Sequence, residues 1–329
     1  MKGLALIGIF STLVVKIGYV SMERVAKLLL ALIMLGFAVV GLAGCSELSL
    51  GMLNPKGLIA YEERKLFFDT LALMLIVVLP VIIMSFAFAY HYQASHRIRD
   101  YKPNWSHSYF LEVLWWGIPC AIILVLAILT WKKTYELDPY HKIPGHDEKP
   151  LLVQAIALPW KWLFIYPEEN IATVNYLVVP TGRQVEYWIT ADNVPMSAFF
   201  VPQLGSQIFA MTGMRTRLHL LSNQPGVYEG LNTQYNGDGF SDMHFPVYVV
   251  DAAGMQKWVD GVKQSTKQLN DASYSELLNP SEGNRPQFFA GVPPDFFNNV
   301  IMTYMHTFGP IHPRSAHNNF DHAVKVQGE

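Results

Sequence analysis

Cysteine and charge are both scarce in this chain. Only two cysteines, Cys45 and Cys120, stand in 329 residues. That count excludes a metal site built mainly from cysteine, and neither residue reads as a disulfide partner. Charged side chains make up 15% of the sequence and the net charge is -2. No basic footprint for nucleic acid follows from such a balance. No phosphate loop, dinucleotide fingerprint or Ser/His/Asp arrangement appears either. What replaces charge is apolar surface: 51% of the residues are hydrophobic, a composition that points to a membrane protein.

The apolar residues fall into long runs. Gly3 to Val15 and Leu28 to Gly44 come first, the second preceded by Arg24 and Lys27. A basic head, an apolar middle and small residues have the layout of a secretory signal. The expectation is a signal sequence over residues 1–44, with Met22 as an alternative start. The segment ends Leu42-Ala43-Gly44-Cys45, which resembles the lipobox of bacterial lipoproteins. That resemblance implies cleavage before Cys45 and a lipid on its sulfur.

Residues 45–65 read as a linker outside the membrane. Leu71 to Ala89 and Val113 to Trp131 are uncharged, and each is about the 20 residues that a helix needs to cross a bilayer. Transmembrane helices are expected over 66–92 and 111–132, joined by a cytoplasmic loop at 93–110. That loop holds Arg97, Arg99 and Lys102, as cytoplasmic loops commonly do. Cys120, inside the second run, reads as a small packing residue. Two crossings return the chain to the outer face.

Residues 133–149 read as a second linker, with Pro139 and Pro144 in it and Pro150 at its end. The pattern then changes. Leu151–Ala157, Ile171–Val179, Gln184–Thr190, Thr216–Ser222 and Pro246–Val250 are short, rich in β-branched and aromatic residues, and separated by turn residues. A β-sandwich over 150–252 is expected. Helical spacing returns in Gly254–Leu269 and in Phe296–Met305, where Asp295 is a candidate cap. A helical extension and polar tail are therefore expected over 253–329. His306, His312, His317 and His322 read as part of a solvated tail, since their spacing aligns on no helix face. His219, in a strand, reads as structural.

The loop Gly226–His244 carries the functional signal. Its frame resembles the metal-binding loop of subunit II of the heme–copper oxidases, in which two cysteines, a histidine and a methionine hold a copper pair. On that pattern Asn232 and Asn236 occupy the cysteine places, Gln234 a carboxylate place and Phe240 the histidine place. Met243 alone is retained. Asn193–Gly205 resembles the stretch that brings the other histidine, and Ser197 occupies its place. Amides, a phenyl ring and a hydroxyl are poor substitutes for the soft thiolates and imidazoles that such copper prefers. Seen alone, the loop is equally an ordinary Gly/Asn-rich turn.

With the rest of the chain, the combination is similar to the branch of that family formed by the cytochrome o ubiquinol oxidases. The resemblance implies a two-helix membrane hairpin, a periplasmic cupredoxin-like β-sandwich and a C-terminal helical extension. It implies a non-redox subunit of a proton-pumping complex that oxidises ubiquinol and reduces oxygen to water in the bacterial inner membrane. No cofactor is then expected on this chain; heme and copper belong to subunit I. Its partners would be subunit I, further small membrane subunits and membrane lipid.

Three other residues or runs follow from the same resemblance. Trp160-Lys161-Trp162-Leu163-Phe164 is similar to the aromatic cluster that passes electrons from the copper pair toward heme. Without copper, packing against subunit I is the expected role. Phe209 stands where the copper-bearing members have an aspartate. Glu112 matches an acid at the entrance of a proton-conducting channel, although a carboxylate in a first helical turn also complements the helix dipole. Two alternatives stay open here: a cytochrome c oxidase or nitric-oxide reductase subunit with an unusual electron entry, and a tethered periplasmic sandwich that binds or assembles a partner.

Overall fold

The computed structural model describes residues 51, 53–92, 104, 106–146 and 148–305. The expected signal sequence, Cys45 and the four tail histidines lie outside these residues. Among the described residues, two long helices come first, α1 (Leu58–His91) and α2 (Tyr109–Glu136). Both are long and apolar enough to cross a membrane. At 1.5 Å per residue, α1 is about 50 Å long, well beyond a hydrocarbon core of about 30 Å. It starts at Leu58, eight residues before the expected boundary. The charged run Glu62-Glu63-Arg64-Lys65, read as linker, instead forms its first turns because each of three side chains has a partner. Glu62 meets Lys133 of α2 at 2.9 Å, Glu63 accepts from Ser206, and Arg64 donates to the Leu53 carbonyl at 3.3 Å. Lys133 also bonds Glu136, and α2 runs on past the expected end at 132.

Eleven strands follow: β1 (Leu151–Leu158), β2 (Lys161–Tyr166), β3 (Ile171–Val174), β4 (Leu177–Pro180), β5 (Val185–Ala191), β6 (Ser197–Val201), β7 (Gly205–Ala210), β8 (Thr216–Leu220), β9 (Gly226–Asn232), β10 (His244–Val250) and β11 (Gln287–Phe289). They form a six-stranded sheet in the order β11-β3-β2-β1-β5-β8 and a five-stranded sheet in the order β4-β10-β9-β6-β7. The expected strand 171–179 is two strands in different sheets. Asn175, at φ 51°, makes the break, and its Oδ1 accepts the Trp162 backbone N–H at 2.8 Å. Asparagine tolerates this left-handed backbone better than most residues.

The main core lies between the sheets, with Trp162, Phe164, Tyr187, Phe199 and Phe245 at its centre. A second core covers the outer face of the six-stranded sheet. Leu158, Leu163, Ile165 and Val174 pack there against Leu277, Phe296, Phe297 and Val300. These come from α4 (Asp271–Leu277) and α5 (Phe296–Met305), which follow α3 (Ala252–Lys263). Helix α3 is shorter than the expected 254–269 and is capped by Asp251, whose side chain accepts from Gly254 N at 2.8 Å. Asp295 has a left-handed φ of 54°, unlike the extended backbone of a side-chain cap.

The first helix is seated on the sandwich. Lys56 and Gly57 N–H groups donate to the Gln203 carbonyl at 2.7 and 3.0 Å. Gly57 has no room for a side chain: a Cβ there would lie 2.7 Å from the carbonyl oxygens of Leu204 and Leu221.

Candidate functional site

Strand β6, the end of β9 and the loop before β10 converge at one end of the five-stranded sheet. They bring together Ser197, Asn232, Asn236 and Met243, four of the six positions singled out in the sequence. Asn232 is buried at the end of β9. Its Oδ1 accepts from Ala198 N at 2.8 Å and from Gln234 N at 3.1 Å. Its Nδ2 donates to the Gln234 carbonyl at 2.8 Å. Asn232 therefore clamps its own loop to β6.

Asn236 bridges the two halves of the site. Its Nδ2 lies 3.1 Å from Ser197 Oγ and 3.3 Å from Met243 Sδ. Both of those residues are buried. Asn236 Oδ1 is buried without a hydrogen-bond partner. Phe240 sits in the short 3-10 helix Asp238–Asp242, and its ring lies 5.6 Å from that of Tyr235. Gln234 is half-buried, and its backbone closes the Asn232 turn.

The donor set here is two amides, a hydroxyl and a thioether. None is a thiolate or an imidazole, and one thioether cannot hold two copper ions. The residues present do not fit a binuclear copper centre. Among the described residues, no group of three or more His, Cys, Asp or Glu side chains could hold a metal.

Trp160 packs on this loop from outside. Its Nε1 donates to the Asn236 carbonyl at 3.2 Å. Gly239 lies under its ring, where a Cβ would come within 2.5 Å of the indole. The other aromatics of the run go elsewhere. Trp162 and Phe164 are fully buried and stack at 6.4 Å in the main core. The expected packing against another subunit is therefore corrected for these two: they fill this chain's own sandwich. Phe209 on β7, opposite Ala198, is 42% exposed. His219 is buried, and its Nδ1 lies 3.0 Å from the Pro139 carbonyl, a structural tie to the second linker.

Sequence reasoning missed two buried polar anchors on the six-stranded sheet. Lys161, 2% exposed, donates to the carbonyls of Leu277 and Asn279 at 3.0 and 2.8 Å and to Ser281 Oγ at 2.6 Å. Burial pushes its ammonium below the usual lysine range, and the charge of Glu276 works against that shift. Asp192 accepts from the hydroxyls of Tyr274 and Tyr304. Burial, and then the Asp192 charge, raises the Tyr274 phenol well above its ordinary value. A lysine inside an aromatic strand was the available signal for the first; nothing local marked the second.

Glu112 lies far from this region in the fold, in the first turn of α2. Its carboxylate is 3.6 Å from His107 Nε2.

Comparison with known proteins follows the same lines. Residues 129–252 match the family described as cytochrome C oxidase subunit II, periplasmic domain. Residues 263–307 match the COX aromatic rich motif. The chain is 45% identical over 265 residues to cytochrome bo(3) ubiquinol oxidase subunit 2 of Pseudomonas aeruginosa, covering 80% of this chain and 78% of that one. It is 44% identical over 264 residues to ubiquinol oxidase subunit 2 of Acetobacter aceti, covering 80% and 84%. To the cytochrome bo(3) subunit 2 of Pseudomonas putida it is 43% identical over 263 residues, covering 80% and 82%. With its two apolar helices and its periplasmic sandwich, the chain belongs to the ubiquinol oxidase subunit 2 family of the heme–copper oxidases.

Proposed function

We propose that this chain is the membrane-anchored, non-redox subunit II of a ubiquinol oxidase that reduces oxygen to water. The observation that carries the reading is the bridge from Asn236 to Ser197 and Met243. Where copper-bearing relatives need soft ligands, this chain has a hydrogen-bonded polar plug. Electrons then need no path through the sandwich. Ubiquinol is dissolved in the lipid and gives them up to subunit I, which holds the heme and copper. The hairpin and sandwich hold subunit I and the small subunits together in the inner membrane. Cys45 carries a lipid in this reading, which adds a second hold on the outer leaflet. Family membership favours this over a cytochrome c-fed subunit or a free-standing assembly sandwich.

The same reading gives Glu112 a role. The sandwich is periplasmic, so the start of α2 faces the cytoplasm. A carboxylate at that mouth is placed to admit the protons that oxygen reduction consumes.

The complex purified through this chain in mild detergent tests the proposal. Heme bands should co-purify, ubiquinol should drive oxygen uptake, and reduced cytochrome c should not. Metal analysis should find no copper beyond that of subunit I. A purple, copper-loaded sandwich or brisk cytochrome c oxidation would overturn it.

A further inference from the structure

Asn236 and Gly237 form the one Asn-Gly pair in the sequence, and the polar plug is built on it. An asparagine followed by glycine is the pair most prone to lose its side-chain amide. With no Cβ on the second residue, its backbone nitrogen is free to swing onto the side-chain carbon. Here that nitrogen is uncommitted: among the described residues, nothing accepts the Gly237 N–H. Gly237 has φ 114° and ψ -162°, a backbone that only glycine holds without strain. The restraint comes from the other end of the amide. Asn236 Nδ2 is tied to Ser197 Oγ at 3.1 Å and to Met243 Sδ at 3.3 Å, while Oδ1 is buried without a donor. Ring closure puts negative charge on Oδ1, and a buried oxygen with no donor resists it. Trp160 Nε1, bonded to the Asn236 carbonyl at 3.2 Å, fixes the main chain as well.

We propose that Asn236 is a latent deamidation site, held shut in the folded chain by Ser197 and Met243. In the reaction the Gly237 nitrogen bonds to Asn236 Cγ and the Cγ–Nδ2 bond breaks. The proton of the Gly237 N–H leaves with the amide nitrogen as ammonia. Water then opens the cyclic imide at either carbonyl, giving aspartate or isoaspartate. Water is the only co-reactant, and nothing is oxidised or reduced. Either product undoes the plug. Aspartate places a charge where Oδ1 has no donor and removes the N–H groups shared by Ser197 and Met243, and an unpaired buried charge is costly. Isoaspartate lengthens the main chain beside Gly239, which already lies under the Trp160 ring with no room for a Cβ. The change runs one way, so it marks a chain that has aged or has once unfolded. It depends on the geometry of this loop and not on the route that electrons take through the complex.

The test ages the purified complex in warm, mildly alkaline buffer and maps the loop peptide by mass spectrometry, with enzymatic methylation to count isoaspartate. The same chain held in denaturant gives the unguarded rate. Conversion at Asn236 should be more than about tenfold slower in the folded complex than in denaturant, because both bonds must open first. Ser197→Ala removes one of them and should speed conversion in the folded complex about fivefold, the factor of one net hydrogen bond. Met243→Leu, which removes the weaker sulfur acceptor, should speed it less. Equal rates in the folded and denatured chain would overturn the guard, and so would an unchanged rate in an assembled Ser197→Ala complex. Should that variant fail to assemble, judged by heme content, the wild-type comparison alone decides. A denatured chain that converts Asn236 no faster than its other asparagines would remove the latent site itself.

Discussion

The Tyr304 hydroxyl donates to Asp192 Oδ1 at 2.5 Å, joining the last turn of α5 to the residue that follows β5. The Tyr274 hydroxyl of α4 donates to the other carboxylate oxygen. One buried carboxylate thus gathers two helices of the C-terminal arm onto the sandwich. The Asn193 N–H adds a bond to the Tyr304 oxygen at 2.9 Å. The arm is a third layer of the periplasmic unit, since it also supplies half of the second core.

Removal of that carboxylate should loosen the arm. Asp192→Ala leaves two part-buried phenols without that acceptor, and each group left unpaired costs up to about 1–3 kcal/mol. Unfolding of the purified complex should show a loss of about 2–5 kcal/mol, and proteases should release residues beyond about 265. Tyr304→Phe, which removes one donor to Asp192 and the acceptor of the Asn193 N–H, should lose about 1–2 kcal/mol. The pH dependence follows from the raised phenols. Tyr274 is held well above its ordinary value, first by burial and then by Asp192. A raised value means that its contribution is complete below the unfolded tyrosine value of about 10 and is lost as pH climbs toward the folded one. The Tyr274 contribution should be flat from neutral to about pH 9 and fall above about pH 10, so Tyr274→Phe should be less sensitive to alkali than wild type. A Tyr274→Phe arm that lost as much stability in alkali as wild type would contradict this account.

Lys161 makes the complementary hold. Its ammonium closes the C-terminal end of α4 by donating to the Leu277 and Asn279 carbonyls. Cations belong at helix C-termini, where unpaired carbonyls gather. Lys161→Met keeps the stem and removes the head, leaving those carbonyls unpaired, while the Ser281 hydroxyl keeps its bond to Asn284 Oδ1 at 2.8 Å. A loss of about 2–4 kcal/mol is expected in denaturant unfolding of the complex. The lysine's own sign is opposite to that of the tyrosines. Its value is lowered by burial, so the cost of keeping it charged is relieved as pH rises. The variant should therefore show a steeper alkaline loss than wild type, because this compensation is gone.

The sandwich was legible where one face alternates and turn residues bracket the run. Strands β1, β5, β8 and β10 meet that condition, and their positions agree with the sequence pattern. Strand β2 does not. Trp160 to Phe164 holds three aromatics in five residues and hid a strand buried on both faces, one against each core. The break at Asn175 was invisible because a single residue in left-handed backbone moves the chain from one sheet to the other. The site itself was legible only through resemblance. Ser197 and Asn236 are 39 residues apart, and no local pattern says that a serine and an asparagine will meet. The two anchors Lys161 and Asp192 reach 116 and 112 residues along the chain, a range at which sequence pattern is silent.

The junction between hairpin and sandwich rests on Glu63. Its Oε1 accepts from both the backbone N–H and the hydroxyl of Ser206, each at 3.0 Å. Ser206 has a φ of 43° and Gly205 before it a φ of 108°. This left-handed pair turns the Ser206 N–H toward α1. A Cβ on Gly205 would lie 2.6 Å from Ala60 N, so the two backbones touch. Hydrogen bonds to a carboxylate are stronger than neutral ones, about 1.5–3 kcal/mol. Glu63→Ala should then cost about 2–4 kcal/mol at this junction, because two donors lose their acceptor together. Ser206→Ala keeps the backbone bond and should cost about 1 kcal/mol. Hydrogen exchange of the assembled complex distinguishes the two, since only Glu63→Ala frees the Ser206 amide. Protection at Ser206 that survives Glu63→Ala would mean that the Gly205–Ala60 contact alone seats the helix on the sandwich.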